Sequence, residues 1–367
     1  MFKTINFPTS DWLKIGCSAG FPAYPTVEDV AKIVDEIKQN PTKKNIFFDA
    51  AGDGLTVHFH TYNEIARLIV EQTDILVENI VILCGSQCTV DTFEKYEECI
   101  KEYNWLPIRL AIMNAWEFSS SIRAKIEQLP LYSQFDTSPR IKDKLLLCYN
   151  RVAKPHRWYV LSEMIKRNLI NRSYVSAYHD LSEFIIPDNQ EDIIHAGITD
   201  EMISILEANK DIFPITLSLV NHDDVGEHHY SPSTDIDYFN NSYFSLINET
   251  IFYGKSLNHC GHIPTQFLTE KTFKVIAAKH PFILAQRPGI LQSLRDDGYK
   301  TFHPYIDESY DDIDNDADRL IAIMEEVGRL STYTDEQWLT FQANVEPIVR
   351  HNFALLLSKT SVYRVLD

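Results

Sequence analysis

Four short apolar runs punctuate the first third of the chain: Leu13–Cys17 (LKIGC), Asn45–Asp49 (NIFFD), Asn79–Cys84 (NIVILC) and Ile108–Met113 (IRLAIM). Each is too brief for a buried helix and is bounded by Gly, Pro or Asn, which is the pattern of parallel strands covered on both faces. Between them, Val27–Gln39, Tyr62–Thr73 and Asp91–Tyr103 predict helices. Leu129–Asp143 (LPLYSQFDTSPRIKD) then breaks the rhythm with two prolines, several hydroxyl residues and no apolar period, so it reads as a linker.

A second alternation follows. Lys144–Tyr149, Ile215–Val220, Tyr243–Asn248 and Pro281–Ala285 predict strands, while Pro155–Asn168, opened by proline in its first turn, and Thr269–Lys279 predict helices. Asp335–Lys359 predicts a long terminal helix interrupted near Pro347, and the acidic run Asp307–Asp318 a solvated loop and helix start. The fold class expected is α/β, with two Rossmann-like domains facing across a cleft. The expected division is residues 1–135 as an acceptor domain, 136–335 as a nucleotide-sugar donor domain, and 336–367 as a carboxyl-terminal helix packing back on the first domain.

Composition narrows the class. At 367 residues, 44% hydrophobic and 23% charged, the chain can bury a large core. No run of 18 apolar residues occurs, and Met1–Gly20 carries Asp11 and Lys14 where a leader would be apolar, so a cytoplasmic protein with no membrane span is expected. The six cysteines form no CxxC pair and read as reduced core thiols. A formal charge of −18 argues against a protein that grips phosphate backbones. Yet Ile141–Asp180 carries a local excess of five positive charges and Thr269–Lys300 an excess of three. Two basic islands in an acidic chain suit one compact anionic ligand such as a nucleoside diphosphate.

Those islands hold the two local motifs. In Phe267–Ala278 (FLTEKTFKVIAA), Thr269 is a good N-cap that places Glu270 and Lys271 in the first helical turn, where unpaired amides attract anions. The lysine suits a phosphate, and the carboxylate suits a ribose diol. In Cys148–Arg157 (CYNRVAKPHR), Asn150, Arg151, Lys154, His156 and Arg157 crowd one strand-to-helix connection, the ligand side of an α/β domain.

Phe244–Thr250 (FSLINET), then Phe267–Lys271 (FLTEK), an Ala-containing helix and the Pro-Phe-Ile-Leu strand at 281–284, resemble the carboxyl-terminal nucleotide-sugar domain of GT-B glycosyltransferases, most of all the fucosyltransferase arrangement. The CYNR…KPHR loop and Leu294–Tyr310 are also similar to phage and bacterial proteins of glycosyltransferase type. The resemblance spans about residues 144–310. It implies that Glu270 binds the ribose hydroxyls, that Lys271 and Arg151 hold the diphosphate, and that Asn248, Glu249 and Thr250 lie near the nucleotide or sugar. The chain has Asn-Glu-Thr where fucosyltransferases usually show Glu-Asn-Ser, which leaves the donor open.

The expected activity is therefore metal-free transfer of a sugar from a nucleotide-diphosphate donor to a hydroxyl acceptor, with no cofactor. Arg151 and Lys271 stabilise the leaving diphosphate, and Asn150, Lys154, Arg157 and Thr269 complete the donor site. An inverting enzyme also needs a general base on a loop after a strand; Asp53 and then Asp49, in FFDAAGDG, fit best. The acceptor is open between a glycan, a small molecule and a modified DNA base. Two other readings stand beside this one: transfer to hydroxymethylated bases of phage DNA, and a non-catalytic nucleotide-binding or scaffold protein.

Overall fold

The computed structural model describes residues 2–5, 12–16, 29–50, 59–84, 90–113, 135–150, 154–177, 198–217, 236–250, 252, 268–358 and 363–366. The chain divides into two compact units: Met1–Glu117 with Leu257–Leu268 and Thr360–Asp367, and Phe118–Ser256 with Thr269–Lys359. Both are mixed α/β. Among the described residues, no helix is long and apolar enough to cross a membrane.

The first unit is built on strands β1 (Phe2–Ile5), β2 (Trp12–Gly16), β3 (Asn45–Ala50), β4 (Ile80–Cys84) and β5 (Arg109–Met113), with helices α1 (Val30–Gln39), α2 (Phe59–Gln72) and α3 (Val90–Tyr103). Strands β2 to β5 are parallel and neighbour one another in sequence order. Alternation along each strand explains the core: Ile46 and Phe48, Ile80 and Ile82, and Leu110 join Val30, Ile33, Phe59, Ile65 and Tyr96 in one apolar cluster. Phe47 and Val81, on the opposite face, are also buried. The sheet continues past β5 into an antiparallel pair formed by β10 (Tyr363–Leu366) and β1, in the order β1-β10-β5-β4-β3-β2.

The second unit contains β6 (Lys144–Asn150), β7 (Tyr174–Ala177), β8 (Ser242–Asn248) and β9 (Phe282–Ala285); β10 (Tyr363–Leu366) is the strand that returns to the first unit. Its helices are α4 (Pro155–Lys166), α5 (Asp200–Ala208), α6 (Ile236–Asn240), α7 (Glu270–Ala277), α8 (Ile290–Asp296), α9 (Asp316–Leu330) and α10 (Asp335–Ser358). All four strands are parallel, in the order β7-β6-β8-β9. The chain leaves β6 toward one edge and returns to build β8 on the other side, so strand order reverses between β6 and β8. In open α/β sheets a ligand crevice forms outside the carboxyl ends of the strands at such a reversal.

Three expectations need correction. No strand spans Ile215–Val220: Ile215 makes a single antiparallel bridge to Ala177, residues 216–217 are irregular, and 218–220 lie outside the described residues. Helix α10 runs unbroken through Pro347, because one missing N–H is outweighed by the burial of Trp338, Phe341, Val345, Val349 and Leu356 along its length. The acidic run 307–318 is not simply solvated. Glu308 accepts from the His303 amide at 3.1 Å, Asp311 caps α8 through the Ile290 and Leu291 amides at 3.1 and 3.0 Å, and Asp316 pairs with the buried Arg319.

Candidate functional site

The carboxyl ends of β6 and β8 gather most of the residues singled out above. Asn150 and Asn248 end their strands, both buried, with Asn248 Nδ2 donating to Asn150 Oδ1 at 2.8 Å. Both side-chain amides also reach the Cys148 sulfur at 3.4 Å. Burial pushes the Cys148 thiol up to about 12, so it is an inert part of the floor.

Glu249 follows on the opposite side of the strand and is fully buried. One carboxylate oxygen accepts from the Thr269 amide at 3.0 Å and the Thr272 hydroxyl at 2.7 Å. The other accepts from the Thr269 hydroxyl at 2.6 Å and the Thr250 amide at 3.3 Å. A carboxylate at the amino terminus of α7 satisfies donors the helix leaves open and complements its dipole. Glu249, expected beside the donor, thus has both oxygens committed to the start of α7.

Thr269 is the N-cap expected from sequence: its hydroxyl accepts from the Lys271 amide at 3.2 Å. Lys271 Nζ lies 2.8 Å from a Glu270 carboxylate oxygen and 3.2 Å from the Thr250 and Thr269 hydroxyl oxygens. The Glu270 and Lys271 side chains are 13% and 28% exposed, so this pair stands at the rim while Glu249 lies beneath it.

The cations of the β6–α4 connection divide in the same way. Arg157 is buried and donates to the carbonyls of Asn248 at 3.1 Å and Glu249 at 3.3 Å, so it fastens the end of β8 from within. Its pKa is lowered, first by burial, against the opposing pull of Glu249. Lys154 is half-buried, and its Nζ donates to the Thr250 carbonyl at 2.7 Å. Burial, with the charges of Arg157 and Lys271, lowers it to about 8. His156 is wholly buried, 3.1 Å from the Glu249 carbonyl, and burial drives its pKa well below the usual range, so the imidazole is neutral.

A second layer, invisible to motif reasoning, supports this edge. The His156 ring stacks on Phe252 at 5.1 Å, and the Arg319 guanidinium sits 4.4 Å from the same ring on α9's side. Arg319 donates to the carbonyls of Phe252 and Gln286, both at 2.9 Å, and of Ile313 at 2.8 Å. One buried side chain therefore ties together the segments that follow β8 and β9. The available sequence signal was a lone arginine three residues after an aspartate in an acid-rich run, the spacing of a helical ion pair.

Of the remaining expected residues, Arg151 and Asp53 lie outside the described residues. Asp49 is the penultimate residue of β3, in register with Gly16 and Leu83, in the first unit. Among the described residues, no group of three or more His, Cys, Asp or Glu gathers as metal ligands.

No protein-family model, curated protein or solved structure matches the chain, so the functional reading rests on this geometry.

Proposed function

We propose that the chain is a glycosyltransferase that moves a sugar from a nucleoside-diphosphate donor to a hydroxyl acceptor, with cationic side chains meeting the charge of the departing diphosphate. One observation carries the reading: at the reversal of strand order in the second sheet, the capped start of α7, Lys271, Glu270 and Lys154 stand together at the carboxyl edge. Anions are favoured at such a helix start, and the crevice at a strand-order reversal is where nucleotides bind in open α/β sheets.

In this reading the acceptor hydroxyl oxygen bonds to the anomeric carbon and releases its proton, in the end to water, while the bond between that carbon and the phosphate oxygen breaks and the leaving oxygen takes the bonding pair. Lys271, and Lys154 beside it, offset that charge. Glu270 is then drawn from Lys271 to the ribose diol, because a phosphate replaces it as the ammonium's partner. Asn150, Asn248, Glu249, Thr269 and Arg157 hold the frame from below and do not themselves touch the ligand.

The test is a thermal-shift and calorimetric titration against the nucleoside diphosphates, followed by donor turnover with and without a strong chelator. A ligand at 100 times its dissociation constant should stabilise the protein by about 2.7 kcal/mol. Glu270→Gln should weaken that ligand by about 1.5–3 kcal/mol without changing the fold, and turnover should survive chelation. If no nucleoside diphosphate binds, the reading is lost. Binding without turnover of any donor sugar would favour the non-catalytic alternative.

A further inference from the structure

Lys154 has no carboxylate partner among the described residues. Its side chain is half-buried, and among the described residues its ammonium has a single acceptor, the Thr250 carbonyl at 2.7 Å. Lys271 reaches the same residue at its hydroxyl, 3.2 Å away. Thr250 is thus bracketed by two ammonium groups.

The neighbouring acids are already engaged. Both oxygens of Glu249, at the end of β8, are held by Thr250, Thr269 and Thr272, and Glu270, on α7, is drawn to Lys271. The charges that act on Lys154 are those of Arg157, on α4, and Lys271, on α7, while the His156 ring on α4 is neutral. Among the described residues this half-buried amine has cations around it and no free carboxylate, and so is short of one negative charge.

We propose that Lys154 and Lys271 together seat the terminal phosphate of an anionic ligand, and that Lys154 takes up a proton from solvent as the phosphate arrives. The ligand class follows from the reading above; the proton does not. Its basis is that Lys154 is crowded by positive charge in the free protein and gains a dianionic partner in the complex. In the free protein burial, Arg157 and Lys271 hold Lys154 near 8, so part of the population is neutral at mildly alkaline pH. A phosphate oxygen at the ammonium favours the charged form. Binding is then full below pH 8 and weakens as pH rises through that value, by about tenfold between pH 7 and pH 9. Arg157 stays charged and His156 neutral across that window, and the terminal phosphate of a nucleoside diphosphate, with its last pKa about 6, is already ionised.

The experiment is isothermal calorimetry of the full chain with methyl diphosphate and with guanosine, uridine and adenosine diphosphates. It is run at pH 8.3 in two buffers of different ionisation enthalpy, and the dissociation constants are then followed from pH 7 to pH 9. The expected result is uptake of about 0.7 proton per bound anion in the wild type. Lys154→Arg, whose guanidinium stays charged, should bind with no uptake and a flat profile. Lys154→Met should bind more weakly at pH 7, also with no uptake, and serves if the arginine does not fit. Binding without uptake in the wild type, or uptake that persists in either variant, would overturn the proposal while leaving the nucleotide reading intact. Methyl diphosphate binding with the expected uptake, but no gain in affinity from any nucleoside, would uphold Lys154 and remove the nucleotide. Failure of every probe to bind would remove both.

Discussion

Replacing Glu249 by glutamine changes one atom and tests how the start of α7 is held. The carboxylate accepts four hydrogen bonds, two on each oxygen, and is fully buried. Glutamine keeps one oxygen and can serve two of those donors. Its amide nitrogen then confronts the other two, best the Thr269 hydroxyl at 2.6 Å and the Thr250 amide at 3.3 Å. The amide cannot turn away. The hydroxyl already accepts from the Lys271 amide and ammonium, both at 3.2 Å, so it is poorly placed to accept again. Losing charge-assisted bonds of about 1.5–3 kcal/mol each, plus about 0.3–1 kcal/mol of helix-dipole interaction, is offset by the lower cost of burying a neutral group. The net expectation is a loss of about 2–4 kcal/mol, or roughly 4–16 °C in the midpoint of a unit this size. Thermal denaturation read by circular dichroism gives the total, and hydrogen exchange in peptides spanning 268–280 shows whether the loss is local. Glu270→Gln, at the rim of the same helix, should cost less than about 1 kcal/mol. If Glu249→Gln melts within about 1 °C of the wild type, or Glu270→Gln is the more damaging of the two, the division into a structural and a ligand-facing carboxylate is wrong.

Three further outcomes follow from the second unit. Arg319→Met should destabilise by about 3–5 kcal/mol in urea unfolding, because Asp316 is left buried without its partner; Arg319→Lys should recover less than half, since a single ammonium cannot reach the carbonyls of Phe252, Gln286 and Ile313 together, and full recovery would contradict the bridging role. His280 is buried and held down to about 3, chiefly by burial, so the folded chain binds fewer protons than the unfolded one below pH 6.5. Stability should therefore fall as pH drops from 6.5 toward 3, by about 1.4 kcal/mol per pH unit from this group. His280→Gln should flatten that limb, and an unchanged slope would count against it. Asp311, raised to about 6 by burial, acts in the opposite sense, so Asp311→Asn should steepen the loss below pH 6. Finally, Cys148 should resist alkylation at pH 8 in the native chain and react once unfolded; peptide mapping that finds it labelled at similar rates in both states would place it outside the floor.

The elements that local pattern revealed are those whose partners are implied by their own composition. NIFFD, NIVILC and the LLLCYN end of β6 are apolar enough to announce a covered strand, and Thr269 announces a helix start whatever it packs against. What stayed hidden depends on distant partners. Tyr174–Ala177 is four residues long, and its identity as β7 comes from pairing with β6. Tyr363–Leu366 finds both its neighbours more than 200 residues away. The site was legible in membership more than in orientation. The Asn-Glu-Thr triplet stood out, yet which way each side chain turns follows from strand alternation: Asn248 goes to the β6 side, and Glu249 to Thr269 and Thr272 at the start of α7. Likewise, nothing in the sequence of the acidic run separates Asp311 and Asp316, which cap and pair inside, from exposed Asp312.

The place of β10 has a consequence for how the chain is made. Strand β1, near the start, pairs among the described strands only with β10, and β10 also covers the edge of β5. During synthesis at roughly 5–20 residues per second, β1 and the edge of β5 must wait tens of seconds for the strand that joins them, while the whole second unit is translated in between. For that interval the nascent first unit presents an open strand edge, the kind of surface that recruits other chains. Truncations or fusions that delay or remove residues 363–366 prolong that exposure, and their first effect should be aggregation during expression.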